Sequence, residues 1–239
     1  MKAVILAGGR GRRLAPFTVA FPKPLVPVGN RAVLEILVRR LVSHGVTEVV
    51  LSVDHMAELI MAYVSGHPEL AGLARYRFAR DRAPGGTAGP LARIEGLDET
   101  FLVANGDLLT SLDFRALVEH HRKHGAALTI AVHRKVTKMQ LGVLDVRSDD
   151  RVTGYHEKPE IEHDVSMGVY VYEPRALAMI QRDEYLDFPT LVSRLIDVGE
   201  RVVAYRTDAY WLDIGNPDDY ARAQEDAERG VGPAAGTAP

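Results

Sequence analysis

Residues 2–53 read KAVILAGGRGRRLAPFTVAFPKPLVPVGNRAVLEILVRRLVSHGVTEVVLSV. Lys2 to Ala7 is a short apolar run without alternation, the pattern of a strand covered on both faces in a parallel sheet. Arg31 to His44 is apolar at helical spacing and stops at Gly45, a C-cap residue. Val46 to Val53 reads as a second strand. Strand, helix and strand in this order are the βαβ unit of an α/β fold.

The rhythm continues outward. Ala57 to Val64 is helical in pattern and ARYRFAR (74–80) is extended. Ala88 to Glu95 reads as a helix. TFLVAN (100–105) is a strand closed by Gly106 and Asp107. Phe114 to His124 is a helix and ALTIAVH (127–133) a strand. From Gly142 the pattern changes: GVLDV (142–146), VTGYHE (152–157) and VSMGVYVY (165–172) are strands with no helix between them, which predicts an antiparallel excursion. Pro189 to Val198 returns to helix. RVVAYR (201–206), a segment at Trp211 and a helix over Asp218 to Arg229 follow. The expected fold is a Rossmann-like three-layer αβα domain over 1–229, with a mixed, mostly parallel central sheet. Residues 230–239, GVGPAAGTAP, read as a disordered tail.

Composition narrows the function. Hydrophobic residues make up 46% of the 239, enough for a large core. Lys and Arg total 29 against 32 Asp and Glu, a net charge of −3, which gives no support for nucleic-acid binding. There are no cysteines, so disulfides and thiolate metal sites are excluded. No apolar run is long enough to span a membrane and no leader pattern is present. A cytoplasmic protein is expected.

Cationic work must therefore be local, and the loop after the first strand is the place for it. Glycines let backbone N–H groups approach phosphate oxygens, and Arg12, Arg13 and Lys23 are the neutralising candidates. Arginine grips two oxygens at once, whereas lysine is a point charge. Pro22 and Pro24 hold the Lys23 backbone in one shape. A Walker A loop is excluded, because no G-x-x-x-x-G-K-[ST] occurs. The dinucleotide fingerprint fails too: Leu14 stands where its third glycine belongs, which argues against a hydride-transfer enzyme.

LAGGRGRRLAPFT…FPKPLVPVGNRAVLE, GGTAGPL (85–91), NGD (105–107), EKP (157–159), SMGVYVYEP (166–174) and WLDIGNPDDY (211–220) stand in the order and spacing of one family. Together they make the chain resemble the sugar-1-phosphate nucleotidylyltransferases, most of all the short, mannose-1-phosphate guanylyltransferase-like members. The likeness runs to about Arg229. It implies an enzyme that joins an NTP and a sugar 1-phosphate, with GTP and mannose 1-phosphate first, and other bases, other sugars or a cyclitol phosphate open. Pyrophosphate is the second product.

The resemblance carries roles to matching positions. Arg13, Lys23, Asp107 and Asp213 are the expected catalytic residues, with Asp107 and Asp213 holding Mg2+; hard carboxylate oxygens suit that ion. Arg13 is expected on the β- and γ-phosphates and Lys23 on the α-phosphate. Nucleotide contacts are expected from Leu6, Ala7, Gly8, Gly9, Gly11, Arg12, Gly86, Thr87, Gly89, Asn105 and Gly106. Gly142, Glu157, Lys158, Ser166 and Gly168 are expected around the sugar phosphate. Gly85 stands where leucine is common, Ser166 where asparagine is, and Ala32 where proline is. No hexapeptide repeat occurs, so acyl transfer is not expected. A homodimer is left open.

A non-catalytic nucleotide-sugar sensor on the same fold should have lost the metal carboxylates or the loop arginine, and here all are present. His120, His121 and His124 share one predicted helix, two of them at i, i+4, but no third ligand follows. They are read as a solvated face rather than a zinc site.

Overall fold

The computed structural model describes residues 1–80 and 85–235. Its strands are β1 (Lys2–Leu6), β2 (Pro27–Val28), β3 (Arg31–Ala32), β4 (Glu48–Val53), β5 (Arg75–Arg80), β6 (Phe101–Asn105), β7 (Leu108–Thr110), β8 (Leu128–Lys138), β9 (Val143–Val146), β10 (Val152–His156), β11 (Glu160–Tyr172), β12 (Val202–Arg206) and β13 (Trp211–Asp213). The helices are α1 (Phe17–Ala20), α2 (Val33–Ser43), α3 (Ala57–Gly66), α4 (Pro68–Ala71), α5 (Phe114–His124), α6 (Pro174–Leu177), α7 (Phe188–Asp197) and α8 (Pro217–Glu228). Among these residues no helix is long and apolar enough to cross a membrane.

Seven strands form one sheet in the order β12-β8-β11-β6-β1-β4-β5. Only β11 runs against its neighbours: it pairs antiparallel with both β6 and β8, and the other pairings are parallel. The mixed, mostly parallel sheet with an antiparallel strand is thus as expected. β1 is an interior strand, between β6 and β4, and is covered on both faces. Ala3 and Ile5 face a core built with Leu34 and Leu37 of α2, Ile60 of α3 and Phe114 of α5. Val4 faces the other core, with Leu91, Leu191 and Leu195. That double burial is why β1 reads as an unbroken apolar run. Asp113 caps α5, accepting from the N–H groups of Arg115 (2.9 Å) and Ala116 (3.0 Å).

Four details differ from the sequence reading. The helix expected over Ala88–Glu95 is a short 3-10 segment, Gly89–Arg93. Its entry is tied down: Ala88 and Gly89 both donate to the Leu186 carbonyl, at 2.9 and 3.0 Å, so the chain turns tightly there. The loop after β1 carries structure of its own, including α1 and the β2–β3 hairpin. β8 and β11 run on beyond the sheet as a paired arm, Lys138 opposite Glu160, and β9 and β10 form a separate two-stranded ribbon beside it. Residues 230–235 are not a loose tail. Val231 N–H returns to Asp226 O at 2.8 Å, and Ala234 is buried in a third apolar cluster with Leu14 and Val26. Residues 236–239 lie outside the described part.

The α5 histidines need a correction too. His121 is 1% exposed; its Nδ1 lies 2.8 Å from Thr129 Oγ1 and its Nε2 3.1 Å from Glu173 Oε1. Helical periodicity put it on the same face as polar neighbours, but α5 turns that position onto the sheet. Burial, opposed by Glu173, pushes its pKa down. The folded protein therefore takes up this proton less readily than the unfolded chain, and stability falls as pH drops from the ordinary histidine value toward the lowered one. His121→Gln is expected to lower Tm at pH 7.5 but to flatten the decline between pH 7.5 and 5.5. The flattening should be about 2–4 °C, the shift that ~1 kcal/mol gives in a chain of this size class. Parallel Tm-versus-pH curves for the two proteins would refute it.

Candidate active site

Three connections bring the site together. β1 ends in the glycine loop, β6 ends at Asn105, and Gly106 N–H bonds back to Leu6 O at 2.9 Å, which sets Asp107 beside the loop. β13 pairs antiparallel with β7, placing Asp213 opposite Leu108, and Ile214 N–H donates to Asp107 O at 3.1 Å. Two carboxylates more than a hundred residues apart in the chain are thereby held side by side. Lys23 comes from the proline-bracketed turn. Pro22 is extended, Pro24 is buried, and Leu25 N–H closes the turn on Pro22 O at 2.8 Å. Pro24 packs over Gly106, where a Cβ would lie 3.3 Å from the proline ring.

The result is a triad of charges. Lys23 Nζ hydrogen-bonds Asp107 Oδ2 and lies 3.5 Å from Asp213 Oδ1. The lysine side chain is 10% exposed. Asp107 Oδ1 and Asp213 Oδ1 are buried and have no hydrogen-bond partner. Burial first, and then the Asp107 charge, push the Asp213 pKa up, against the pull of Lys23 and Arg13. Asp107 Oδ1 is left without a donor and Asp213 Oδ1 has only the lysine ammonium at 3.5 Å; such hard oxygens fit a cation such as Mg2+, which takes one or two carboxylates and completes its shell with water and phosphate. Among the described residues no group of three metal-ligating side chains exists, so such an ion would depend on other ligands for the rest of its shell.

A cavity of about 320 Å³ opens beside the triad. Leu6, Ala7, Gly8, Gly9, Lys23, Gly86, Thr87, Asn105 and Asp107, all expected site residues, line it. A second cavity adjoins it, sharing Leu6, Thr87 and Asn105 and adding Ser166 and Gly168. Gly168 has φ +71° and a Cβ there would lie 2.6 Å from Asn105 Nδ2, so its lack of a side chain frees the asparagine. Gly11 does not line the cavity. It backs the lysine: φ is +59°, and a Cβ would lie 2.9 Å from Thr18 Cγ2 and 3.1 Å from Lys23 Cβ. Gly89 and Gly106 are buried behind the wall.

Other expected residues lie further out. Arg12 and Arg13 are exposed, although the Arg13 charge acts on Asp213. Gly142, Glu157 and Lys158 belong to the β9–β10 ribbon and its ends and line neither cavity. Lys158 is 62% exposed, 3.9 Å from Glu157, which accepts from Tyr155 OH at 2.9 Å. A motif match carries no information on where a flanking ribbon sits, and here it stands away from the sheet.

Sequence reading missed two wall elements. Asp187 accepts from Thr87 N–H at 3.1 Å, and Thr87 Oγ1 accepts from Phe188 N–H at 2.8 Å. Nothing local signals a contact across a hundred residues. Asp54, which lines the first cavity, is not among the expected site residues either. Its signal was available: it is a carboxylate directly after the strand that neighbours β1, at the ligand-facing edge of an α/β sheet.

The glycine loop after β1, Asp107 after β6 and Asp213 brought beside it by β13 stand at the edge where α/β sheets hold their ligands, and they make this an α/β protein with its site at that edge. A family model described as "Nucleotidyl transferase" matches residues 2–230, and the chain belongs to that family. It is 32% identical to the UTP–glucose-1-phosphate uridylyltransferase of Synechocystis sp., over 93% of this chain and 62% of that protein. It is also 32% identical to the mannose-1-phosphate guanyltransferase of Candida albicans, over 92% of this chain and 62% of that one. The chain thus spans about 62% of the length of these curated relatives. Among solved structures, HddC from Yersinia pseudotuberculosis superposes with a TM-score of 0.72 at 28% identity, covering 94% of this chain and 98% of HddC. HddC has also been solved complexed with GMP-PN, and that structure gives 0.71.

Proposed function

We propose that this chain transfers a nucleoside monophosphate from an NTP to a sugar 1-phosphate, with GTP and mannose 1-phosphate as the first pair. The observation that carries this reading is the triad: a nearly buried lysine between two carboxylates, with Asp107 Oδ1 left without a donor, at the edge of a glycine-lined cavity. An oxygen of the sugar phosphate attacks the α-phosphorus. The new P–O bond forms as the α–β bridge breaks, and the electron pair leaves with pyrophosphate. A phosphate monoester is already ionised at neutral pH, so no general base is needed.

Positioning and charge neutralisation then do the catalysis. Asp107 and Asp213 are the residues that would hold Mg2+, which when bound neutralises phosphate charge. Lys23 is proposed for the α-phosphate. Its prolines and its two carboxylates hold it in place beforehand, so little reorganisation is needed as charge develops. Arg13, at the outer side of the triad, is proposed for the departing pyrophosphate. The sugar is assigned to the second cavity, against Ser166 and Gly168. The part of Glu157 and Lys158 rests on their motif, not on a cavity they line.

The uridylyltransferase relative keeps UTP with glucose 1-phosphate as the second reading. Pyrophosphate release should be measured for GTP, UTP, ATP, CTP and dTTP, each with mannose and glucose 1-phosphates. GTP with mannose 1-phosphate is expected to give the highest kcat/KM. Nucleotide binding without pyrophosphate from any pair would instead make the chain a sensor on a transferase fold.

A further inference from the structure

We propose that Asp54 selects the base, by accepting hydrogen bonds from two adjacent N–H donors such as guanine presents. The inference rests on the reading of the first cavity as a nucleotide site. In the sheet, β6 and β4 flank β1 on opposite sides. Neighbouring strands stand about 4.8 Å apart, so the ends of β6 and β4 are separated by roughly 10 Å. Asp107 and Lys23 occupy the β6 side. Asp54 follows β4 directly and occupies the other, with Gly8 between them. The fit around Gly8 is close: a Cβ there would lie 3.2 Å from Asp54 Cβ and 3.5 Å from Asp54 N. A ligand with its phosphates at Lys23 therefore reaches Asp54 with its nucleoside end.

Two carboxylates line this cavity among the described residues. Asp107 is paired with Lys23. The Asp54 carboxylate has no hydrogen-bond or ion-pair partner among them. A carboxylate without a protein partner repels a polyanionic ligand brought alongside it, and donors on the ligand offset that repulsion. Guanine offers N1–H and the N2 amino group side by side, a spacing that both oxygens of one carboxylate can meet, as they do an arginine fork. Uracil and thymine offer a single N–H flanked by two carbonyls, which a carboxylate repels. The carboxylate thus selects for and against.

The test compares kcat/KM and Kd for GTP, ITP, 2′-deoxyGTP and UTP in the wild type, Asp54→Ala and Asp54→Asn. ITP lacks only the N2 amino group. The wild type is expected to prefer GTP over ITP by about ten- to a hundredfold, the worth of one charge-assisted hydrogen bond. Asp54→Ala should bring that ratio close to one and narrow the gap between GTP and UTP. Asp54→Asn, which places an amide N–H against guanine N1–H in one of its orientations, should also lose the preference. Asp54 is exposed at a strand end, so Tm should not move in either variant. A GTP-to-ITP ratio unchanged in Asp54→Ala overturns the assignment. So does a selective loss of discrimination against 2′-deoxyGTP, which would put the carboxylate on the ribose. Preference for UTP that survives Asp54→Ala overturns it while leaving the transferase reading intact. Failure of every nucleotide to bind removes both.

Discussion

Asp107→Asn is expected to lower kcat/KM by about 100- to 1000-fold while leaving Tm within a few degrees of the wild type. The size follows from what the residue does twice. Its Oδ2 holds Lys23, and its Oδ1 is buried without a donor. Asparagine keeps the volume and one acceptor, so the turn around Lys23 should survive. It removes a unit of charge from the place where cation and phosphate would meet, and loss of one pre-positioned electrostatic group costs an enzyme about 10²–10³ in rate. Asp213→Asn is expected to behave alike. Burial and the Asp107 charge push the Asp213 pKa up, so a neutral amide there should cost the fold little. Steady-state kinetics with excess Mg2+, alongside thermal melts, decide the matter. A variant that keeps a tenth of wild-type kcat/KM would show that the carboxylate pair is not the centre of the site. A variant that fails to melt cooperatively would show that it is structural.

Gly86→Ala is expected to cost about 3 kcal/mol of stability, or roughly 6–12 °C in Tm, although it adds a single methyl. Gly86 has φ +71°, where an L side chain is strained. Its Cβ would lie 2.5 Å from Leu186 O and 2.8 Å from Asp187 Oδ1. Neither can retreat cheaply. Leu186 O accepts from both Ala88 and Gly89, Leu186 N–H donates to Gly85 O at 3.0 Å, and Asp187 holds Thr87. The methyl therefore has to break the clamp that fixes one wall of both cavities, and nucleotide affinity should fall with stability. Gly9→Ala is the control. Gly9 lines the same cavity, yet a Cβ there meets nothing within 4 Å. Its melt should match the wild type. Equal melts for Gly86→Ala and Gly9→Ala would mean that the 85–89 and 184–188 segments do not clamp one another.

Much of this was legible in the chain itself, and for a local reason. Burial on both faces leaves β1 no polar position after Lys2, and an amphipathic helix leaves a 3.6-residue stripe, so Lys2–Ala7 and the α2 pattern announce an α/β unit without reference to anything distant. The glycine loop, the prolines around Lys23 and the aspartates after Asn105-Gly106 and Trp211-Leu212 are likewise short-range signals, and in this order they mark the family. What the sequence could not contain is which of these stretches touch. Lys23 meets Asp107 and Asp213 only because β6 lies beside β1 in the sheet and β13 pairs with β7. Thr87 is held by Asp187, and His121 is buried on Thr129 and Glu173, through packing between segments far apart in the chain. The EKP motif shows the converse: a recognisable local pattern whose place, on a ribbon outside both cavities, is set by how β8 and β11 leave the sheet. Periodicity records which way a side chain faces within its own element. The neighbour it meets is chosen by strand order and register, and those are settled by the whole core at once.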